Sequence, residues 1–516
     1  MKADVLVIGA GIAGLTTAIN CAEAGYQVIL ISKAKQLSES NSSYAQGGIV
    51  YNKKETSPEA LIKDILRAGG PLVKKESASI VARDGASVIE NLLIKKAKVP
   101  FTKNKFGFQL TKEAAHSHRR ILFAYDTTGK YIIEGLLNYI KQIKNIKILS
   151  EHMAIDILTR EHNTNDIHSV YMKPEALGAY VYNLRSNKVK KILAHVTVLA
   201  TGGIGQIYKH TTNPKIATGD GIAMAYRAGA KIINMEYTQF HPTTLFGHSA
   251  QNFLISESVR GEGAVLINQD GKEFIKHHKG SLAPRDIVSI AIHNELIQSH
   301  KEFVYLDLSK IQKLNIKKRF PGIYNKCLKY NIDIEKDLIP VVPAFHFSCG
   351  GIFVDSWGRS TIQNLFVAGE SSCTGLHGAN RLASTSLLEG VVWGDRISKY
   401  IKKYNKKYFE KKFPVVRDWE SKGVRDKEVD PALLKQDWET LKNTMWNYVG
   451  VVRTKNRLQR AQRDLTNLRS SIETFYRNTI LSADIIELRN AVQVGLIIAN
   501  AAWQNKTSRG GHYRLN

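Results

Sequence analysis

Cysteine is scarce. Cys21, Cys327, Cys349 and Cys373 are the only four among 516 residues, and no two form a CxxC pair. That argues against a disulfide scaffold, fits a reducing compartment and makes a cytoplasmic location the expectation. Acidic residues are short as well: 46 Asp and Glu against 73 Lys and Arg leave a net charge of +27. Such a field attracts anions, whether nucleic acid, a membrane surface or an acidic metabolite. One stretch, Val5 to Ala22, carries no charge. It is long enough to suggest a membrane span or a signal peptide. Gly9, Gly11 and Gly14 interrupt it and Asp4 precedes it, so it reads as a buried strand followed by a buried helix, and no targeting segment is expected. Wholesale disorder is excluded by 43% hydrophobic and 23% charged residues, an ordinary globular balance. The length allows about three domains.

What is present begins at the N-terminus. Asp4–Ile8 is a β-branched run, Gly9-Ala10-Gly11-Ile12-Ala13-Gly14 follows, a helical pattern continues to Ala24, Gly25 stops it, and Gln27–Ile31 is a second strand. The three glycines serve a tight turn, close approach of the backbone to a pyrophosphate, and close packing of helix on strand. The helix N-terminus then offers N–H groups and positive dipole to the phosphates. The acid that would close on a ribose at the end of the second strand is missing; Ser32-Lys33 stands there. A lysine favours phosphate over ribose hydroxyls and argues against simple NAD binding. Ala194–Thr201 running into Gly202-Gly203, and Asn364–Gly369 before Glu370, repeat the strand-to-glycine edge. Three such edges so far apart point to one sheet assembled from distant segments, an FAD-type domain interrupted by an insertion.

Further along stand, in order, Ser43-Tyr44-Ala45-Gln46-Gly47-Gly48, Gln239-Phe240-His241-Pro242-Thr243, Arg260-Gly261-Glu262-Gly263, Ala283-Pro284-Arg285-Asp286 and Thr374-Gly375-Leu376-His377-Gly378-Ala379-Asn380-Arg381-Leu382-Ala383-Ser384. On these the chain resembles the succinate dehydrogenase/fumarate reductase flavoprotein family. Glu113–Arg120 and the residues around Tyr44-Ala45-Gln46 resemble its aspartate-oxidising branch. The resemblance runs from Asp4 to Tyr513, with two departures: Thr385 where the family usually has Asn, and Phe123 where that branch often has His. It implies an α/β fold: a Rossmann-like FAD-binding domain (residues 1–234 and 347–415), an inserted α+β capping domain (235–346) and a C-terminal helical domain (416–516). It also implies that Gly9, Ala10, Gly11, Ile12, Ala13, Gly14, Ser32, Lys33, Asn41, Ser42, Ser43, Tyr44, Ala45, Gln46, Gly47, Gly48, Thr201, Gly202, Gly203, Asp220, Glu370, Ser386 and Leu387 hold FAD. Relatives with covalent flavin carry a histidine before the Gly-Gly pair. None lies between Ser38 and Gly48, and Asn41 sits near that place, so noncovalent FAD is implied.

The activity implied is oxidation of L-aspartate to iminosuccinate, the first step of de novo NAD biosynthesis. Oxygen or fumarate would reoxidise the flavin, and quinolinate synthase would take the product. Such a site needs cations for two carboxylates, an acceptor for the ammonium, and the substrate Cα–H aimed at the flavin N5. The resemblance makes His241, His346, Glu257 and Arg285 catalytic, and Glu113, Gln239, Ser256 and Arg381 substrate-binding. Pro242 biases His241 toward extended backbone, as at a chain reversal. Small residues before Arg381 would let its guanidinium approach a carboxylate closely. Pro284 and Asp286 are helix-start signals around Arg285. Arginine keeps its proton in proteins, so Arg285 is expected to act by transient proton transfer or by charge. Glu113 is the discriminator, because succinate has no amine and aspartate does.

His116-Ser117-His118 could suggest a metal, but Arg119 and Arg120 oppose a dication and no Cys or Asp lies at ligand spacing, so no metal is expected. Ser398–Lys412 is the densest basic run. Lys399, Lys402, Lys403, Lys406 and Lys407 would share one helix face and Tyr400, Tyr404 and Tyr408 another, which reads as an amphipathic helix with a solvated lysine face. No nucleic acid and no membrane partner is expected. The alternatives are a soluble fumarate reductase and, in a different class, a basic flavoprotein that binds nucleic acid or an anionic membrane.

Overall fold

Strands far apart in the sequence meet in one sheet. The computed structural model describes residues 1–52, 57–113, 115–247, 253–311, 315–404, 406–419 and 428–515; Ala114, Asn405 and the side chains of Lys406 and Lys407 lie outside them. β1 (Lys2–Ile8), β2 (Val28–Ser32), β3 (Ile146–Ser150), β4 (His152–Thr159), β5 (Ala176–Asn183) and β6 (Lys188–Leu199) stand in the order β3-β2-β1-β6-β5-β4. α1 (Ile12–Glu23) makes the crossover between the parallel β1 and β2. The uncharged run is therefore core: Val5, Leu6, Val7, Leu15, Ala18 and Ile19 are wholly buried.

α2 (Asp220–Arg227) leads out of this sheet into a second, antiparallel one. β7 (Thr238–Leu245), α3 (Glu257–Gly261), β8 (Val265–Ile267), α4 (Arg285–Ser299), β9 (Val304–Asp307) and β10 (Ile339–Ser348) follow, with strand order β7-β10-β9-β8. It has its own apolar core, including Ile255, Val259, Leu266, Val288, Ile292 and Val341. The β7–β10 ladder is irregular twice. Gln239 faces Phe347 and Phe240 faces Phe345, so the pairing passes over His346. His241 faces Ala344 and Thr244 faces Val342, leaving one extra residue on β7, where Pro242 has no N–H to give the ladder. The expected chain reversal at His241 is therefore absent: the residue lies inside a continuous, buried strand whose bulge absorbs the proline.

The chain returns to the first sheet as β11 (Leu365–Val367), parallel to β6. Ile8, Leu199 and Val367 stand in register. The turns at Gly9, Thr201–Gly203 and Gly369-Glu370 thus leave the sheet side by side at its carboxyl edge, where such sheets bind ligands. α5 (Ser386–Ile401) packs on α1. The expected single helix over Ser398–Lys412 does not form: α5 ends at Ile401, and a separate short helical turn covers Lys406–Phe409. Tyr404 and Phe409 pack against the core, and the tyrosine stripe survives through ring contacts, edge-on for Tyr400–Tyr404 (centroids 5.7 Å apart) and stacked for Tyr404–Tyr408 (4.7 Å).

α6 (Pro431–Val449), α7 (Lys455–Asn478) and α8 (Ala483–Gln504) close the molecule, with Gly450 ending α6. Among the described residues α8 is the one helix long and apolar enough to cross a membrane, and most of it is buried inside the protein. Its Val492 and Ile498, with Leu465 of α7, share one core with Ile29, Ile155 and Leu199 of the sheet.

Candidate active site

One cavity of about 670 Å³ runs from the carboxyl edge of the first sheet to β7 and β10 of the second. Its first half is lined by Gly9–Ala13, Ser32, Lys33, Asn41–Gly48, Thr201–Gly203, Asp220, Glu370, Ser386 and Leu387. Its second half is lined by Glu113, His241, Ser256, Glu257, Arg285, His346 and Arg381. Of the residues expected from sequence, Gly14 and Gln239 alone stay out of it. Gly14 faces the sheet from α1, where a Cβ would collide with the Gly9 carbonyl and lie 3.3 Å from the Ala200 methyl. Gln239 is committed behind the wall: its Nε2 donates to the Arg381 carbonyl (2.9 Å) and to Asn380 Oδ1 (2.7 Å), and its Oε1 accepts from Arg285 Nη1 (3.4 Å). It joins the two arginines instead of facing the cavity.

The first half fits FAD. Gly9 adopts φ +112° and a Cβ there would run into the Ala200 carbonyl, so only glycine leaves the turn room for a diphosphate. Ser42 Oγ accepts the Ile12 N–H (3.2 Å), and Ser386 opens α5 at the cavity wall. Asn41 Nδ2 donates to Glu370 Oε2 (2.8 Å), and Glu370 Oε1 accepts the Ser348 N–H (3.1 Å). Burial pushes the Glu370 carboxyl up to about 7. The buried Asn41 Oδ1 and Gln46 Oε1 have no protein partner, both residues line this cavity, and buried polar atoms call for a partner such as a bound cofactor would supply. Tyr44 is 52% exposed, its hydroxyl donating to Glu39 (3.1 Å), and Ser43 Oγ donates to the Ser38 carbonyl. Lys33 departs from expectation. It is no free phosphate-seeking cation: its Nζ donates to Thr218 (2.7 Å), Asp220 (2.7 Å) and Glu487 of α8 (2.6 Å). Burial pulls its ammonium down, but the two carboxylates outweigh that and raise it.

The second half holds the charge. Arg285, the first residue of α4, donates through Nε to Glu257 Oε2 (2.6 Å), a pair with side chains only 11% and 12% exposed. Burial pushes the Glu257 carboxyl up, and Arg285 and Arg260 more than reverse it, so it stays ionised. Arg381 donates through Nη1 to Ser386 Oγ (3.2 Å) and lies 4.5 Å over the Phe347 ring. Burial, and then Arg285, pull it down to about 10. His241 Nδ1 accepts the Thr243 N–H (3.2 Å), which leaves the ring proton on Nε2, a buried donor without a protein partner. His346, at the residue the ladder passes over, is aimed into the cavity by that bulge; its Nδ1 is 2.8 Å from Thr212 Oγ1. Burial, with the neighbouring guanidiniums, holds both imidazoles well below their usual range, hence neutral. Glu113 Oε2 accepts from Ser384 Oγ (2.8 Å), and burial pushes this carboxyl up. Ser256 Oγ caps α3 by accepting the Ser258 N–H (3.3 Å).

Two guanidiniums, two neutral imidazoles and two carboxyl groups, Glu257 paired with Arg285 and Glu113 apart from it, thus converge on one space, a clasp for a dicarboxylate with room for a cationic nitrogen. Sequence reasoning missed Arg260, Ser384, Thr212 and Phe347. Arg260 is 1% exposed and donates to the Ser281 carbonyl (2.6 Å) behind Glu257; a guanidinium within the Arg260–Gly263 motif was a usable signal. Thr212 lies 134 residues from His346, with no local signal. His116 is spent on the Ala383 carbonyl (3.0 Å), and among the described residues no group of three His, Cys, Asp or Glu is arranged to hold a metal ion.

Two family profiles match the chain: an FAD binding domain over residues 4–387 and a fumarate reductase flavoprotein C-terminal domain over 438–516. It is 42% identical to L-aspartate oxidase 1 of Ralstonia nicotianae, covering 99% of this chain and 95% of that one. It is 40% identical to L-aspartate oxidase of Pseudomonas aeruginosa, covering 99% and 95%, and 37% identical to chloroplastic L-aspartate oxidase of Arabidopsis thaliana, covering 99% and 80%. Among solved structures, a variant of the E. coli quinol fumarate reductase subunit FrdA superposes with a TM-score of 0.86 at 27% identity, covering 100% and 91%. Adenylylsulfate reductase from Archaeoglobus fulgidus, at a TM-score of 0.73, 17% identity and coverage of 100% and 92%, shares the fold alone.

Proposed function

The chain belongs to the succinate dehydrogenase/fumarate reductase flavoprotein family, in its L-aspartate oxidase branch, and from that premise we propose that its cavity oxidises L-aspartate to iminosuccinate. FAD, held noncovalently at the glycine-rich half, supplies the two-electron acceptor for the substrate Cα hydride. The chain's own residues bind and orient. Arg381 and Arg285 take the two carboxylates, where guanidinium pairs with carboxylate best. His241 and His346, neutral because buried beside these cations, donate hydrogen bonds to the carboxylates without adding charge. Glu113 faces the ammonium. Glu257 keeps Arg285 oriented (2.6 Å), and Arg285 supports the step through its charge and transient proton passage, since arginine does not stay neutral. Ser256 completes the wall.

In this reading residues 1–234 and 347–415 carry the cofactor, residues 235–346 close over the substrate and exclude water, and residues 416–516 brace both. Oxygen or fumarate takes the electrons away. The product feeds quinolinate synthase in NAD biosynthesis, and the setting is cytoplasmic. The observation that carries the proposal is the meeting of Glu113 with Arg285 and Arg381 around one cavity. A soluble fumarate reductase would need the arginines but not the carboxylate.

The test mixes FAD-loaded protein with substrate in the absence of oxygen. L-Aspartate should bleach the flavin and succinate should not. Glu113→Ala should lower the bleaching rate with aspartate about 10- to 100-fold, the range for a charge-assisted contact left unmade. Bleaching by succinate at the aspartate rate, or equal aspartate rates in the two proteins, would sink it.

A further inference from the structure

The last turn of the chain reaches the site from behind. Arg509–His512 closes on itself, with the Arg509 N–H on the His512 carbonyl (2.8 Å) and the His512 N–H on the Arg509 carbonyl (2.9 Å). At its tip the Gly511 N–H donates to the Ala379 carbonyl (2.8 Å), two residues before Arg381. The approach needs glycine. Gly510 adopts φ +49° and a Cβ there would lie 3.0 Å from Asn380 Cβ and overlap the Ala379 carbonyl; a Cβ on Gly511 would overlap the Thr238 backbone. The turn is therefore wedged between the Arg381 loop and the start of β7.

What holds the wedge is Arg453, 0% exposed. Its Nη1 donates to His512 Nδ1 (2.6 Å) and to the Glu236 carbonyl (2.7 Å), its Nη2 to Thr238 Oγ1 (2.7 Å) and its Nε to the Gly450 carbonyl (3.2 Å). His512 Nδ1 must accept from the guanidinium, so His512 Nε2 carries the proton it gives to the Asn505 carbonyl (3.0 Å). One residue past Thr238, Gln239 holds the Arg381 carbonyl and touches Arg285. Arg453 thus ties the turn, through His512, to the Glu236–Thr238 segment that leads into Gln239 and so to the two cations of the site.

We propose that the Arg509–His512 turn, locked by Arg453, is the brace that sets Arg381 at its distance from the substrate carboxylate, which makes Gly511 and Arg453 positioning residues. This rests on the carboxylate-binding reading of Arg381. The FAD-loaded, full-length protein tests it, with succinate as a dicarboxylate probe whose binding is followed by perturbation of the flavin spectrum. Gly511→Ala is expected to raise the succinate Kd and the aspartate KM about tenfold. The FAD Kd should hold within about twofold and kcat should fall by less than KM rises. Arg453→Lys, which keeps the charge but loses the forked donors, is expected to do the same in smaller degree, and carries the test if Gly511→Ala does not fold. A succinate Kd unchanged in both, or FAD affinity lost in step with it, overturns the brace. Arg381→Ala separates the two readings. If it binds succinate as the natural chain does, the role of Arg381 fails; if it does not bind while Gly511→Ala and Arg453→Lys bind normally, only the brace fails.

Discussion

Glu370 shows how burial sets the behaviour of one side chain. It lies against Asn41 and the Ser348 N–H, and burial outweighs these hydrogen bonds and the pull of Arg381 to push it up to about 7. An unfolded glutamate titrates near 4.5, so between those values the folded carboxyl is protonated while the unfolded one is ionised. The sign follows: the destabilisation is full above pH 7 and disappears as pH falls to 4.5. In FAD-free protein, Glu370→Gln is expected to be more stable than the natural chain by about 3 kcal/mol at pH 8, from a shift worth ~1.4 kcal/mol per unit, with the gap closing by pH 4.5. Urea melts of both proteins across that range check it; a gap independent of pH would mean the carboxyl is ionised throughout. At this scale sequence motifs singled out Glu113, Arg285 and Arg381, each within a contiguous signature, and Glu257 just ahead of one, and all four line the cavity. They did not reveal that Lys33 is neutralised by Asp220 and Glu487, since Glu487 is 454 residues away.

Local elements were the most legible. β1, α1 and β2 were readable because strand, glycine turn and helix differ in the period of their apolar residues, a property of a few consecutive positions. The same logic gave one of the three glycines to close packing, and the structure makes that one Gly14. Gly14→Ala would push its methyl into the Gly9 carbonyl, overpacking that typically costs about 1–3 kcal/mol. The expected outcome is a lower melting temperature together with weaker FAD binding, since the same contact shapes the phosphate turn; fluorescence titration with FAD and a thermal melt measure both. Tight FAD binding with an unchanged melt would show that the turn can shift freely. What the local pattern could not supply was the bulge. Nothing in Ala344-Phe345-His346-Phe347 says that the ladder will pass over His346, because a bulge is a relation between two strands. The basic run failed for a similar reason: tyrosine burial against the sheet, not helical periodicity, ends α5 at Ile401.

For the molecule as a whole, the division of cores matters most. The C-terminal helices share one apolar cluster with the first sheet and with Phe240 and Phe345 of the second, whose other buried residues form a cluster on its far side. Lys33, Asp220 and Glu487 tie α8 to the cofactor end as well. The FAD domain and the C-terminal helices should therefore melt together, and FAD should raise that shared transition by about 2.7 kcal/mol at a hundred times its Kd. Scanning calorimetry with and without FAD measures this. A C-terminal transition that FAD leaves in place would contradict the shared core.

By itself the sequence determined the chemistry available: a glycine-rich cofactor turn, a family of anion-binding motifs and a carboxylate suited to an amine, all of them written in short contiguous stretches where spacing alone dictates backbone conformation. Only the tertiary structure decided which of these groups share a cavity, which are neutral and which are braced from behind. Protonation and proximity depend on burial and on partners hundreds of residues distant, and those exist only once the chain has packed.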